Sequence, residues 1–222
     1  MISPSEIIRT NRNSISLTIN EKGDLIVRAP LFMPTENIYK FIKEKQSWIQ
    51  KKQSFIKTTL SENKEITEYK QLFYLGKKYP IVLVKGLDKA MIFSDHIALP
   101  YTSSLTTLKH NLKVFLIEST EKNILPKIYS YARKIGVKPN EIKVINSKAK
   151  WGMCDNKSNI YINYKLAMLS VEIIEYVIVH ELCHIKQLNH SKQFWKEVSF
   201  YLPNYKNAVQ ILKKADFLIK LF

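Results

Sequence analysis

The sequence predicts an α+β protein. A β-rich N-terminal part with one long helix, residues 1–100, precedes a C-terminal part, residues 101–222, whose histidine-bearing helix packs against a small sheet. Three observations predict this. Apolar residues alternate with period two from Ile7 to Pro30 and again across Gln71–Leu99. They recur at three- and four-residue steps after Thr35 and after Thr102. The character changes from strand to helix around Pro100, which marks the expected domain boundary.

The first strands are Ser14–Ile19 and Asp24–Ala29, joined by Asn20-Glu21-Lys22-Gly23 as a hairpin turn. Thr35 is placed to cap a helix reaching about Leu60. Ile38, Phe41, Ile42, Trp48, Ile49, Phe55 and Ile56 form its expected buried stripe, with the intervening lysines on a solvated face. Trp48 is a conceivable ligand platform, but a core role is the expectation. Ser61–Lys70 reads as a loop. Gln71–Val84 reads as a second hairpin, and Ala90–Phe93 with His96–Leu99 continues its sheet. His96 is expected at a strand edge, binding nothing.

Thr102–Ile135 is helical in pattern, divided or kinked by Pro126 and ended by Gly136. Glu141–Asn146 and Ser158–Lys165 read as strands on either side of Lys150-Trp151-Gly152-Met153-Cys154-Asp155. A helix over about Val171–Leu188 follows. Ser191 then caps a short helix with Phe194, Trp195 and Val198 on its apolar face, ended by Pro203. Asn204–Leu221 forms a last amphipathic helix.

The bulk numbers narrow the function classes. The 222 residues suffice for one sizeable core or two small domains, and no run of about 18 apolar residues exists. With no signal-peptide pattern at the start, a cytoplasmic protein without a membrane partner is expected. Cys154 and Cys183 make no disulfide framework. The net charge of +16 admits a nucleic-acid partner. That reading is not favoured, because the excess is nearly all scattered Lys. Arg, which suits bidentate recognition, occurs only at Arg9, Arg12, Arg28 and Arg133.

The chemistry concentrates in His180-Glu181-Leu182-Cys183-His184, with His190 six residues on. Two histidines four apart share one helix face and can hold one metal ion, and the carboxylate between them can take a proton from metal-activated water. A catalytic zinc site uses three protein ligands and keeps one position open. His190 is the candidate third ligand. Its spacing is that of the metzincin pattern, but Gln187 stands where that pattern has Gly. The returning turn is therefore expected at Asn189, since Asn tolerates the left-handed conformation. Three of the five histidines fall in these eleven residues. Cys183 points away from the shared ion.

Several motifs occur together: Trp151-Gly152-x-Cys154, Asn159-x-x-Ile162-Asn163, Tyr176–His184, Asn189–Trp195 and Tyr201-Leu202-Pro203-Asn204-Tyr205. With Ser14–Leu17, Val27-x-Ala29-Pro30, Trp48-Ile49 and Leu75-Gly76-x-x-Tyr79-Pro80, the chain resembles the YgjP-like metallopeptidase family, zinc-dependent hydrolases related to SprT-like proteases. The resemblance covers nearly the whole chain and implies a zincin-like C-terminal part. It implies one Zn²⁺ held by His180, His184 and His190, with Glu181 as catalytic base. Met153 stands where the family usually has Ser, so any role of that hydroxyl is lost.

The expected activity is peptide-bond hydrolysis on a peptide or protein substrate not yet identified. Tyr164 and Tyr205 are candidate oxyanion donors, and the strand Asn159–Tyr164 is a candidate edge for an extended peptide. Two other readings compete. One is a basic DNA-associated protein, in one form a SprT-like protease acting on DNA-bound proteins. The other is a structural metal site without turnover, for which Cys154 would have to be a fourth ligand.

Overall fold

The computed structural model describes residues 2–221. The chain forms mixed α and β structure in two compact units, one up to Thr67 and one from Glu68 onward.

In the first unit, β1 (Glu6–Thr10), β2 (Ser16–Ile19) and β3 (Leu25–Pro30) form a sheet in the order β1-β3-β2. The β2–β3 hairpin turns where expected. Asn20 Oδ1 accepts the Lys22 and Asp24 amides at 2.9 and 2.8 Å, and Gly23 takes φ +89°. β1 runs parallel to β3, a pairing that no local turn signals. Its Arg9 guanidinium donates to the Met33 carbonyl at 2.6 Å and to Thr35 Oγ1 at 3.1 Å.

Thr35 is therefore the first helical residue rather than the cap; Pro34 precedes it, with its φ preset for a helix start. The long helix is two, α1 (Thr35–Glu44) and α2 (Gln46–Glu62), broken at Lys45, with α3 (Lys64–Thr67) in the expected loop. Ile38, Ile42 and Ile49 close the core against Ile19, Leu25, Val27 and Ala29. Trp48 and Phe55 do not: they are 46% and 42% exposed. The break at Lys45 ends the continuous stripe that would have buried them.

In the second unit, β4 (Gln71–Tyr74), β5 (Lys77–Val84), β6 (Met91–Ile92) and β7 (Ile97–Pro100) form a sheet in the order β4-β5-β7-β6. Then come α4 (Leu105–Asn123) and α5 (Leu125–Ile135), divided at Ile124 with Pro126 in the first turn of α5 and Gly136 left-handed at its end. The structural division thus lies at Thr67, not at Pro100. Leu72, Ile97 and Leu99 are buried, and Tyr74 Oη accepts from Ser119 and Asn123 of α4 at 3.1 and 3.2 Å. The strand-to-helix change falls inside one core.

A second sheet combines β8 (Ile142–Ile145), β9 (Gly152–Cys154) and β10 (Ile160–Asn163) in the order β8-β10-β9. β10 is central, parallel to β8 and antiparallel to β9. It has no free edge to offer a peptide; the edges of this sheet belong to β8 and β9. A 3-10 turn over Tyr164–Met168 leads into α6 (Val171–Cys183), followed by α7 (Lys192–Tyr201), α8 (Tyr205–Lys214) and a 3-10 turn over Ala215–Lys220. α6 ends five residues before the expected Leu188, and the last helix is shorter than its pattern. No helix among the described residues is long and apolar enough to cross a membrane.

Two contacts fix where α6 begins and what it leans on. The β4–β5 turn takes positive φ at Leu75 and Gly76 and docks on the segment before α6: the Leu75 amide donates to the Ala167 carbonyl at 2.9 Å. A Cβ on Gly76 would lie 2.7 Å from that of Ser170, so only glycine fits. Along α6, Glu175 accepts from Lys127 Nζ at 2.9 Å and Tyr131 Oη at 3.0 Å on α5.

Candidate metal centre

α6 is apolar nearly all round. Ile173, Ile174, Val177, Ile178, Val179, Leu182 and Cys183 are buried, as expected of a helix enclosed by other elements. His180 and Glu181 lie in its last turn, and His184 is its C-terminal cap. Because the helix stops there, the chain can return His190 over the same face. Asn189 is not in the left-handed region, contrary to expectation. The turn is held instead by Lys186 and Gln187 amides donating to the Cys183 carbonyl at 3.1 and 3.0 Å, and by Ser191, whose Oγ caps α7 through the Phe194 amide at 3.3 Å.

The three histidines meet. Their ligand atoms all lie within 4.8 Å of one another, the one such group among the described residues. His180 Nε2 and His190 Nε2 face each other at 3.0 Å. His184 Nδ1 lies 3.0 Å from the Gln187 carbonyl. A carbonyl only accepts, so Nδ1 carries the proton and Nε2 keeps its lone pair. His180 Nδ1 has the Tyr176 hydroxyl at 3.4 Å, one helical turn back. Phe194 stacks on His184 at 4.5 Å, and Trp195 stacks on His190 at 5.6 Å with Tyr205 behind it at 5.2 Å. The one ligand candidate on a loop is thus held by an aromatic column.

Burial, then the neighbouring His184 and His190, pulls the His180 imidazole down to about 3, so it is neutral at physiological pH. Burial also lowers His184, against the Gln187 carbonyl. Three imidazoles with converging nitrogens fit a divalent ion such as zinc.

Glu181 is 8% exposed. Burial pushes its carboxyl up to about 7, while the Lys150 charge and the Cys154 backbone amide hold it down. It lies on Gly152 of β9: a Cβ there would come 2.7 Å from Glu181 Cγ and 3.0 Å from Oε1. This is the physical content of the Trp151-Gly152 motif. Asn163 pins the loop leading into it, donating to the Ser147 and Lys150 carbonyls at 2.8 and 2.9 Å. Asp155 ties the β9–β10 turn, accepting from the Lys157 and Asn159 amides at 2.9 Å each and from Asn159 Nδ2 at 2.8 Å.

The other sequence candidates fall outside the cluster. Cys154 Sγ faces the Asp155 carbonyl at 3.5 Å, and burial, then the Glu181 charge, pushes its thiol up to about 11. Tyr164 is buried with its hydroxyl unpartnered. His96 pairs with Asp95 at 2.7 Å. Tyr176 and Gly152 stood in the sequence motifs without an assigned role, and the Gln187 carbonyl went unread. Tyr176 was findable, since it sits four residues before His180 on the same helix face.

The YgjP-like metallopeptidase domain matches residues 13–215. The chain belongs to the YgjP-like metallopeptidase family. As a metallopeptidase it is a metal-dependent hydrolase. Among solved structures, it is similar to the metallopeptidase zymogen of Pyrococcus abyssi abylysin, at 24% identity over 40% of this chain and 92% of that one, with a TM-score of 0.36. No curated protein matches the chain.

Proposed function

We propose that this YgjP-like protein is a zinc metallopeptidase in which His180, His184 and His190 hold one ion and Glu181 is the general base. The observation that carries the reading is the convergence of three imidazoles beside a buried carboxylate. When bound, zinc would supply a Lewis acid that acidifies water and polarises the substrate carbonyl. Glu181, with its carboxyl near neutrality, is poised to accept a proton and return it to the leaving amine. Gly152 lets the carboxylate approach the β9 backbone, and the Cys154 amide orients it. Tyr176 and the Gln187 carbonyl set the imidazole orientations. An extended peptide pairs with the outer edge of β9, the strand that touches Glu181. Three imidazoles leave a zinc position open, which favours turnover over a structural role.

The test is hydrolysis of casein by the zinc-loaded chain beside Glu181→Gln. The variant should keep its zinc and lose roughly 10²- to 10⁴-fold in rate. Equal rates in the two proteins would refute the assignment of Glu181.

A further inference from the structure

The core of the first unit is complete without three of its aromatic side chains. Ile38, Ile42 and Ile49 seal α1 and α2 against the sheet, while Phe41, Trp48 and Phe55 lie off that cluster. Phe41 and Trp48 form two walls of a cleft of about 290 Å³, completed by Leu17 and Lys45. The Lys45 ammonium stands 5.7 Å from the Phe41 ring centroid. The arrangement repeats along α2. Phe55 is seven residues beyond Trp48, two turns on and so on the same face. The Lys52 ammonium stands 5.6 Å from its ring centroid. Between Gln46 and Ser61 the helix carries Lys51, Lys52 and Lys57 and no acidic residue. Among the described residues no carboxylate forms a salt bridge with Lys45, Lys51 or Lys52.

We infer that this cleft and the stripe beyond it bind single-stranded nucleic acid without sequence preference. The ligand must offer flat apolar faces and negative charges in alternation, because the surface alternates rings and ammonium groups. Single-stranded nucleic acid has that repeat: bases stack on Phe41, Trp48 and Phe55 while phosphates meet Lys45 and Lys52. An acidic peptide answers the lysines but brings no ring at each step. A duplex keeps its bases stacked on one another and unavailable to the rings. The cations here are lysines, point charges rather than bidentate forks, which suits phosphate contact and not base reading. The net charge of +16 adds a long-range attraction for any polyanion.

The experiment is anisotropy of a labelled oligothymidylate of about 20 nucleotides titrated with the full-length metal-loaded chain at low salt. Binding should weaken steeply with salt. Trp48→Ala, which removes an exposed side chain, should weaken it by about 5- to 150-fold, the range for loss of one stacked base. Trp48→Phe should restore most of the affinity. Replacing Lys45 and Lys52 with Ala should lower the log–log salt slope by about 1.4, two single-strand phosphate contacts. Absence of binding, or equal affinity of Trp48→Ala and wild type, would overturn the proposal. So would polyglutamate competing as well as unlabelled oligothymidylate, which would assign the surface to an acidic protein instead.

Discussion

Two helices of this protein use their large side chains in opposite ways. α6 buries almost every one of them, and the polar groups it carries inward, His180 and Glu181, each have partners that explain their presence. α2 buries Ile49 and leaves Trp48 and Phe55 outside. The difference teaches that a hydrophobic pattern reports burial only when the helix is continuous and enclosed. A buried polar residue in an apolar helix costs free energy unless it is satisfied, so it points to a site. An exposed aromatic on a helix whose core is already sealed points to a partner.

The sharpest way to break this contrast is to truncate neighbours on α2. Ile49→Ala should cost about 2–5 kcal/mol in denaturant unfolding, and Trp48→Ala less than about 0.5 kcal/mol. Comparable losses at the two positions would mean Trp48 is core after all.

The same glycine substitution separates the two units. Gly152→Ala drives a methyl into Glu181 and should lower the hydrolysis rate by about 10²-fold with zinc retained. Gly23→Ala meets nothing within 4 Å and strains only its left-handed turn, so unfolding should report about 1 kcal/mol and the rate should not change.

Tyr176→Phe sharpens the account of α6. Losing the hydroxyl beside His180 should weaken zinc binding about tenfold in chelator competition while unfolding of the metal-free protein barely changes. Unaltered affinity would make Tyr176 a packing residue.

A separate effect of pH on stability concerns Lys165, fully buried, whose ammonium donates to the Ile219 carbonyl at 2.7 Å. Burial, then the Lys148 charge, pulls it down to about 8 from the usual 10.5. Between these values the unfolded chain binds more protons, so this residue makes stability rise as pH climbs from about 8 toward 10.5. Subtracting the unfolding curve of Lys165→Met from that of wild type should isolate the rise. A flat difference would mean the ammonium is solvated.

What was legible in the sequence follows the same physics. His180 and His184 were readable because helical spacing alone puts them on one face, and His190 because so few histidines occur elsewhere. Gly136 and Pro126 announced their helix ends by backbone chemistry. β9 was not readable: its three residues are too few to show alternation. Missing it made β10 look like an edge. Trp48 misled because Lys45 breaks a stripe that the sequence presents as unbroken. The boundary at Pro100 misled because a change of secondary structure is not a change of core, as Tyr74 bonded to α4 shows.

X-ray absorption at the zinc edge tests the central claim most directly. The account predicts one zinc per chain with three nitrogen ligands at about 2.0–2.1 Å, one further light atom and no sulfur. A sulfur scatterer at about 2.3 Å, or two nitrogens in place of three, would contradict it.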